Sequence, residues 1–145
     1  MLDHIEKIIY LKKIPIFQNL TGEELILLEK ITDEEDYLDG GIIFHEGTYG
    51  DKLYVIITGS VDILRGSREK GFNVTRLNEF DYFGEMSLFD ETNHSATAKA
   101  VGNVQCLVIP REGFTDILNE YPSIAVEMLK VFARRLRETT DKIVY

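Results

Sequence analysis

Apolar residues recur at helical spacing before residue 36. A short amphipathic helix near the N-terminus is indicated by a stripe of four residues: Leu2, Ile5, Ile8 and Ile9. A second helix is predicted to begin at Thr21, because Thr21 stands three residues before Glu24, the spacing of a capping box. Between Glu23 and Asp39 there are eight acidic residues and one base. We interpret this acidic run as a solvated helix face followed by a loop.

Residues 36–110 have a different pattern, with short β-branched and aromatic runs separated by glycines. Seven runs are typical of strands: Tyr37-Leu38, Ile42–Phe44, Leu53–Ile57, Val61–Leu64, Phe72–Leu77, Ala96–Val101 and Val104–Ile109. The gaps between them are too short for crossover helices, which excludes a parallel α/β sheet. The pattern therefore predicts an antiparallel sandwich, barrel or jelly roll. Thr58-Gly59-Ser60 is short enough for a hairpin turn.

The helical period returns after Pro110 and continues to the end of the chain. A short helix is predicted over residues 112–119 and a final helix from about residue 123 to at least residue 140. The final helix carries two apolar stripes: Ile124, Met128 and Val131 form the first, and Ala125, Leu129, Phe132, Leu136, Thr139 and Ile143 form the second. The second stripe has the alternating 4-3 spacing of a coiled coil, so we predict a homodimer through this helix. A wide core-facing surface in a monomer is the alternative.

Composition narrows the classes of function. A chain of 145 residues forms one domain, and its formal net charge of -9 disfavours direct binding of DNA or RNA. The single Cys106 excludes an internal disulfide and fits a reducing compartment. No apolar run reaches the length of a membrane helix, and the first residues do not resemble a secretory signal. We therefore expect a cytoplasmic protein that is not bound to a membrane.

The most informative segment is Phe83–Thr97. Gly84 allows the backbone to approach a ligand closely, and the amides that follow it are suited to an anion. Glu85 is placed to accept hydrogen bonds from sugar hydroxyls, and the small residues Ser95 and Ala96 leave their N–H groups accessible. These features alone do not distinguish a ligand site from an ordinary turn.

The whole chain, however, resembles the cyclic nucleotide-binding domain family. Five segments carry the resemblance in the family's order: Ile14–Phe17 with Leu20, Gly41–Gly47, Gly50–Val61, Phe83–Leu88 and Ala133–Leu136. The resemblance implies a mainly β single domain over residues 1–145. Its parts would be N-terminal helices (1–35), an eight-stranded antiparallel jelly-roll β-barrel (36–110) with a cassette (83–97), and two C-terminal helices (111–145). It also implies a regulatory, non-enzymatic role without a cofactor or metal, and a cyclic nucleotide as ligand, cAMP first and cGMP second.

The resemblance also assigns roles within the cassette. Glu85 would accept the ribose 2′-hydroxyl, with Phe83, Gly84, Met86 and Ser87 lining the ribose and phosphate. The amides of Ser95 and Ala96 would reach the phosphate.

The chief departure from the family is His94, which stands where the family has an arginine for the phosphate. Loss of a charged bidentate contact costs about 2–3 kcal/mol, or about 30–150-fold in affinity. The sequence therefore predicts weak binding that improves at lower pH, as His94 gains a proton. Lys99 is a poor substitute, because on an extended segment it faces the opposite side.

The last helix is similar to that of bacterial catabolite-activator proteins. Thr139 and Thr140 match positions that contact the adenine amino group, one from each subunit, although Thr residues exposed to water near a helix end are an equal alternative. Arg135 is a candidate partner of Glu85.

The chain ends at Tyr145 without a helix-turn-helix pattern, so we expect a stand-alone module that signals through its C-terminal helices to an unknown effector protein. The alternative is a degenerate domain that binds no nucleotide and serves for dimerisation or docking. A cupin-type metal site is disfavoured because His4, His45 and His94 form no His-x-His pair. His94 and Cys106 leave a haem-binding relative open.

Overall fold

The computed structural model describes residues 2–67, 69 and 71–141. The helices are α1 (His4–Lys12), α2 (Gly22–Lys30), α3 (Arg111–Glu120) and α4 (Pro122–Asp141). The strands are β1 (Asp33–Tyr37), β2 (Ile42–Phe44), β3 (Lys52–Ser67), β4 (Gly71–Leu77), β5 (Tyr82–Phe83) and β6 (Thr97–Pro110). Two 3₁₀ turns, Pro15–Phe17 and Glu85–Leu88, complete the elements. The chain is thus mainly β with helices at both ends, as predicted.

The sheet is antiparallel and is organised by two long strands. Its order is β1-β6-β3-β4, with β2 also paired to β6 and β5 to β3. The predicted hairpin at Thr58-Gly59-Ser60 is wrong, since the chain continues within β3 and only the register to β6 shifts there. A bulge bends a strand without reversing it, because hydrogen bonding to the neighbour resumes on both sides. β3 and β6 each contain two predicted runs, so the described residues form six strands, and the predicted number of eight is not confirmed.

The acidic segment after α2 forms a strand, not a loop. β1 pairs with β6 from Asp33 opposite Val108 to Tyr37 opposite Val104. Its sequence, Asp-Glu-Glu-Asp-Tyr, has low strand propensity, and backbone pairing to the apolar β6 supplies the order. The prediction of a solvated loop was therefore wrong for the four acidic residues Asp33–Asp36, whereas Tyr37 was predicted as part of a strand.

Alternate side chains of the long strands enter two different apolar cores. Leu53 and Val55 of β3 pack with the helices, whereas Tyr54 and Ile56 pack inside the sheet. Burial on both faces explains why this run is continuously apolar. The two cores fix the sheet between the terminal helices, and the cassette lies at their junction: Phe83 belongs to the inner core and Leu88 to the helical one.

The starts of the predicted helices agree with the structure, but in the predicted stripe of α1 Ile5 is 71% and Ile9 is 51% exposed. The capping box is present, because Thr21 accepts from the Glu24 N–H and the Glu24 side chain accepts from the Thr21 N–H. The first stripe of α4 is buried, whereas in the second stripe Leu129 is 64% and Leu136 is 69% exposed. Ile143 lies outside the described residues. No helix in the described ranges is long and apolar enough to cross a membrane.

Candidate ligand pocket

A left-handed glycine creates the turn at the centre of the site. Gly84 follows β5 with φ 79° and ψ 14°, a conformation that residues with a Cβ rarely adopt. A Cβ on Gly84 would lie 2.7 Å from the backbone oxygen of Lys52, so the neighbouring strand also excludes a side chain there. The Ser87 N–H donates to the Gly84 carbonyl at 3.0 Å and closes the 3₁₀ turn Glu85–Leu88.

This turn forms one wall of a cavity of about 500 Å³. The lining consists of Phe44, Ile63, Arg65, Phe83, Gly84, Glu85, Met86, Ser87, Asp90, Thr92, Asn93, His94, Ser95 and Ala96. Its size is that of a small-molecule site. The cavity brings together eight of the ten predicted site residues, and Thr139 and Thr140 are not among its lining.

Glu85 lines the cavity and has one carboxylate oxygen without a hydrogen bond. Its Oε2 is buried and has no hydrogen-bond donor within the described part of the chain. The nearest cation is the guanidinium of Arg135 on α4, with Nη1 3.5 Å from Oε2. A buried carboxylate oxygen without a hydrogen bond is costly, so the site is suited to a ligand that donates one. Burial and the nearby Glu85 carboxylate raise the pKa of the Tyr82 hydroxyl, which stays protonated.

Aromatic packing joins the cassette to both C-terminal helices. Phe89, directly after the 3₁₀ turn, makes edge-to-face contacts with Phe114 of α3 and Phe132 of α4, with ring centroids 5.5 and 5.4 Å away. With the Arg135–Glu85 pair, α4 thus contacts the cassette at two points.

Arg111, at the start of α3, binds the backbone of the cassette and lies outside the cavity lining. Its Nη1 donates to the carbonyls of Gly50, Ser87 and Asp90 at 3.3, 3.3 and 3.4 Å. Sequence reasoning missed this residue because the contacts span 21 to 61 positions along the chain.

His94 lies in the wall of the pocket. Its ring stacks on Phe44 with 3.5 Å between centroids and 6° between planes. The Cε1–Nε2 edge faces Gly50, where an added Cβ would lie 2.7 Å from Cε1. Its backbone pairs with the neighbouring loop, since the His94 N–H donates to Thr48 and the Gly47 N–H donates to His94. Burial lowers the pKa of His94, and the nearby Asp51 only partly opposes this shift.

Arg65 is a second residue that sequence reasoning missed. Its Nη2 donates to the Ser95 hydroxyl at 3.2 Å, and both side chains line the cavity. The signal was available, because Val61, Ile63 and Arg65 alternate along one strand and Val61 is buried in the inner core. The predicted strand ended at Leu64, one residue before Arg65 and three residues before the end of β3.

The remaining candidates lie outside the cavity. Thr139 and Thr140 are exposed, and their hydroxyls donate to the carbonyls of Arg135 and Leu136 in the same helix, at 3.0 and 2.9 Å. Lys99 is exposed on β6 opposite Ile42 and does not line the cavity.

The described residues give no support to a metal site. They contain no cluster of three or more His, Cys, Asp or Glu side chains that could hold a metal ion. Cys106 is buried in the inner core, and burial raises the pKa of its thiol to about 12. Such a thiol stays protonated and is a poor ligand for haem iron.

The turn, the carboxylate with an unsatisfied oxygen and the lining arginine are groups that could bind a small, hydroxylated anion. Residues 34–121 match the family model described as the cyclic nucleotide-binding domain. The chain belongs to this family of regulatory domains.

Three relatives illustrate the similarity. Over 129 residues the chain is 33% identical to the CRP-like cAMP-activated global transcriptional regulator of Mycobacterium tuberculosis, covering 88% of this chain and 58% of the relative. It is 34% identical to the cyclic AMP receptor protein of Thermus thermophilus, covering 88% and 60%. The crystal structure of the N-terminal domain of a transcriptional regulator from Streptomyces coelicolor superposes with a TM-score of 0.86 at 33% identity, covering 94% and 96%. The chain thus spans about three fifths of the length of the two curated relatives.

Proposed function

We propose that this domain binds a purine cyclic nucleotide in the cassette pocket, cAMP in preference to cGMP, and transmits binding through its C-terminal helices to a partner protein. The preference for cAMP is supported by the two curated relatives, whose names state activation by cAMP or reception of cyclic AMP.

The observation that carries the proposal is the unsatisfied carboxylate of Glu85 in the cavity lining. Among the described residues no group donates a hydrogen bond to its buried Oε2, and Glu85 directly follows Gly84, whose backbone conformation residues with a Cβ rarely adopt. A ribose 2′-hydroxyl is a donor of the right kind to satisfy it. A hydrogen bond to a charged group contributes about 1.5–3 kcal/mol, or roughly 10–150-fold in affinity.

The proposed transmission route starts at the same carboxylate. A hydroxyl that donates to Glu85 competes with Arg135 of α4, which is 3.5 Å from the same oxygen. The Phe89 contacts carry any displacement of the cassette to Phe114 and Phe132. Binding shifts the position of the helices by no more than its differential affinity for the two arrangements.

Dimerisation through α4 is part of the proposal. Leu129 and Leu136 are exposed at coiled-coil spacing, and Met86 of the cassette is 61% exposed beside this surface. A second copy packed on this stripe would bury all three side chains. It would also place Thr139 and Thr140 close to a nucleotide, as the resemblance implies.

Isothermal titration with cAMP, cGMP and 2′-deoxy-cAMP tests the ligand and the role of Glu85 together. We expect the native protein to bind cAMP about 10–150-fold more tightly than 2′-deoxy-cAMP, because the deoxy ligand leaves Oε2 unsatisfied. Glu85→Ala should remove most of this difference. Glu91→Ala is the matched control, since Glu91 is an exposed acid of the same loop outside the cavity lining.

If the native protein and Glu85→Ala prefer cAMP over 2′-deoxy-cAMP by the same factor, the contact between the Glu85 carboxylate and the 2′-hydroxyl is disproved. No heat with either cyclic nucleotide at millimolar concentration would support a second function: a docking or dimerisation module without a ligand. The environment of His94 favours this second function, because the ring packs on Phe44 and its lowered pKa leaves it without charge at neutral pH.

A further inference from the structure

Strand pairing places Arg65 at the mouth of the cavity. β3 pairs with β6 up to Leu64 opposite Thr97, so Arg65 lies beside the small residues that precede β6. Side chains two apart share a face of a strand. Arg65 therefore shares the face of Ile63, and both line the cavity. The guanidinium of Arg65 therefore lies at the exposed end of the cavity, beyond the apolar side chain of Ile63.

The hydrogen bond to Ser95 fixes the direction of this side chain. Nη2 of Arg65 lies 3.2 Å from the Ser95 hydroxyl oxygen, on the rim formed by the cassette loop. A guanidinium has five N–H donors, so this bond leaves others for an anion beside Ser95.

The charges of the pocket require such a cation if an anion is to bind. Among the described lining residues, Arg65 is positive and Glu85 and Asp90 are negative. Arg135 pairs with Glu85, and Arg111 donates to three carbonyls behind the cassette. In a protein of net charge -9, a cyclic phosphate would meet repulsion in this pocket without Arg65.

We infer that Arg65, held by Ser95, is the residue that neutralises the ring phosphate of the bound cyclic nucleotide. The inference rests on the proposed function. Its physical basis is the planar guanidinium, which is permanently charged and matches two phosphate oxygens. His94 then serves as an uncharged wall whose ring is already engaged by Phe44 and Gly50.

Titration calorimetry with cAMP on the native protein and three variants tests this assignment. Arg65→Gln, which removes the charge and retains donors for Ser95, should weaken binding about 10–100-fold. Arg65→Lys keeps the charge without the fork and should lose less. Arg76→Gln is the control, with the same substitution and change in net charge on neighbouring β4, and should bind within threefold of the native protein, because Arg76 pairs with Asp62 outside the cavity.

A measurement on the native protein is independent of any variant. If Arg65 carries the phosphate, the dissociation constant for cAMP should change by less than threefold between pH 6 and pH 8, because a guanidinium does not titrate there. Contact through His94 predicts tighter binding at pH 6. A larger loss in His94→Gln than in Arg65→Gln, or a loss of under threefold in Arg65→Gln, overturns the assignment while nucleotide binding stands. Absence of binding by the native protein overturns the proposed function itself.

Discussion

Replacing Gly84 with alanine isolates the close contact that shapes the cassette. A Cβ there would meet two penalties: a left-handed backbone at φ 79° and an approach of 2.7 Å to the Lys52 carbonyl oxygen. Gly40 has the same φ of 79° but nothing within 4 Å of an added Cβ. Gly40→Ala therefore reports the backbone penalty alone, about 1–2 kcal/mol.

The difference between the two variants measures the steric term. Overpacking against a backbone atom costs about 1–3 kcal/mol, because neither β3 nor β5 can move freely while they are paired. Urea denaturation should thus give a free energy of unfolding lower for Gly84→Ala than for Gly40→Ala by that amount, or a midpoint lower by about 0.5–1.5 M. Equal destabilisation in the two variants would refute the argument that Lys52 dictates glycine here.

Three further predictions concern α4, the pocket residue His94 and the inner-core residue Cys106. Leu136→Glu should convert a dimer to a monomer of 16.6 kDa, as measured by light scattering. Leu38→Glu, at a side chain 78% exposed directly after β1, should not change the mass, and a native monomer would contradict the α4 interface. Because burial lowers the folded-state pKa of His94 below 6.5, stability is lost as pH falls below about 6.5. Native protein should therefore lose more unfolding free energy than His94→Gln between pH 7.5 and pH 5, and equal losses would show that the ring is not buried as a neutral group. Cys106, fully buried with its pKa raised to about 12, should react with a thiol reagent at pH 8 only after unfolding; rapid reaction in the native state would contradict this.

Sequence patterns predicted the helices and strands that are stabilised by residues close to one another in the chain. The Thr21–Glu24 capping box and the continuous apolar run of β3 were readable because a helix start and a strand buried on both faces have local signatures. The acidic part of β1, Asp33–Asp36, was missed because its sequence has no such signature and it is ordered by pairing with β6. The irregularity at Thr58–Ser60 was mistaken for a reversal because a turn and a bulge use the same small residues.

The candidate site divides in the same way. Glu85 and its neighbours were predicted because they are contiguous in the chain. Arg65 reaches the pocket from 20 residues before Glu85, and only tertiary packing shows its contact with Ser95. The candidate pairing of Arg135 with Glu85, 50 residues further along the chain, is present in the structure. The roles of Thr139 and Thr140 stay predictions, because they depend on a second copy of the chain.

The ion pair between Arg135 and Glu85 couples the cassette to any protein that binds α4. In the proposed function, a bound nucleotide changes the position of α4. Coupling free energies are reciprocal, so a partner that fixes α4 would change the affinity for the nucleotide by the same factor. A partner that moves the guanidinium of Arg135 away from the Glu85 carboxylate would then change the fraction of domains with bound ligand at a fixed ligand concentration. The partner protein would therefore set the ligand concentration at which this domain responds.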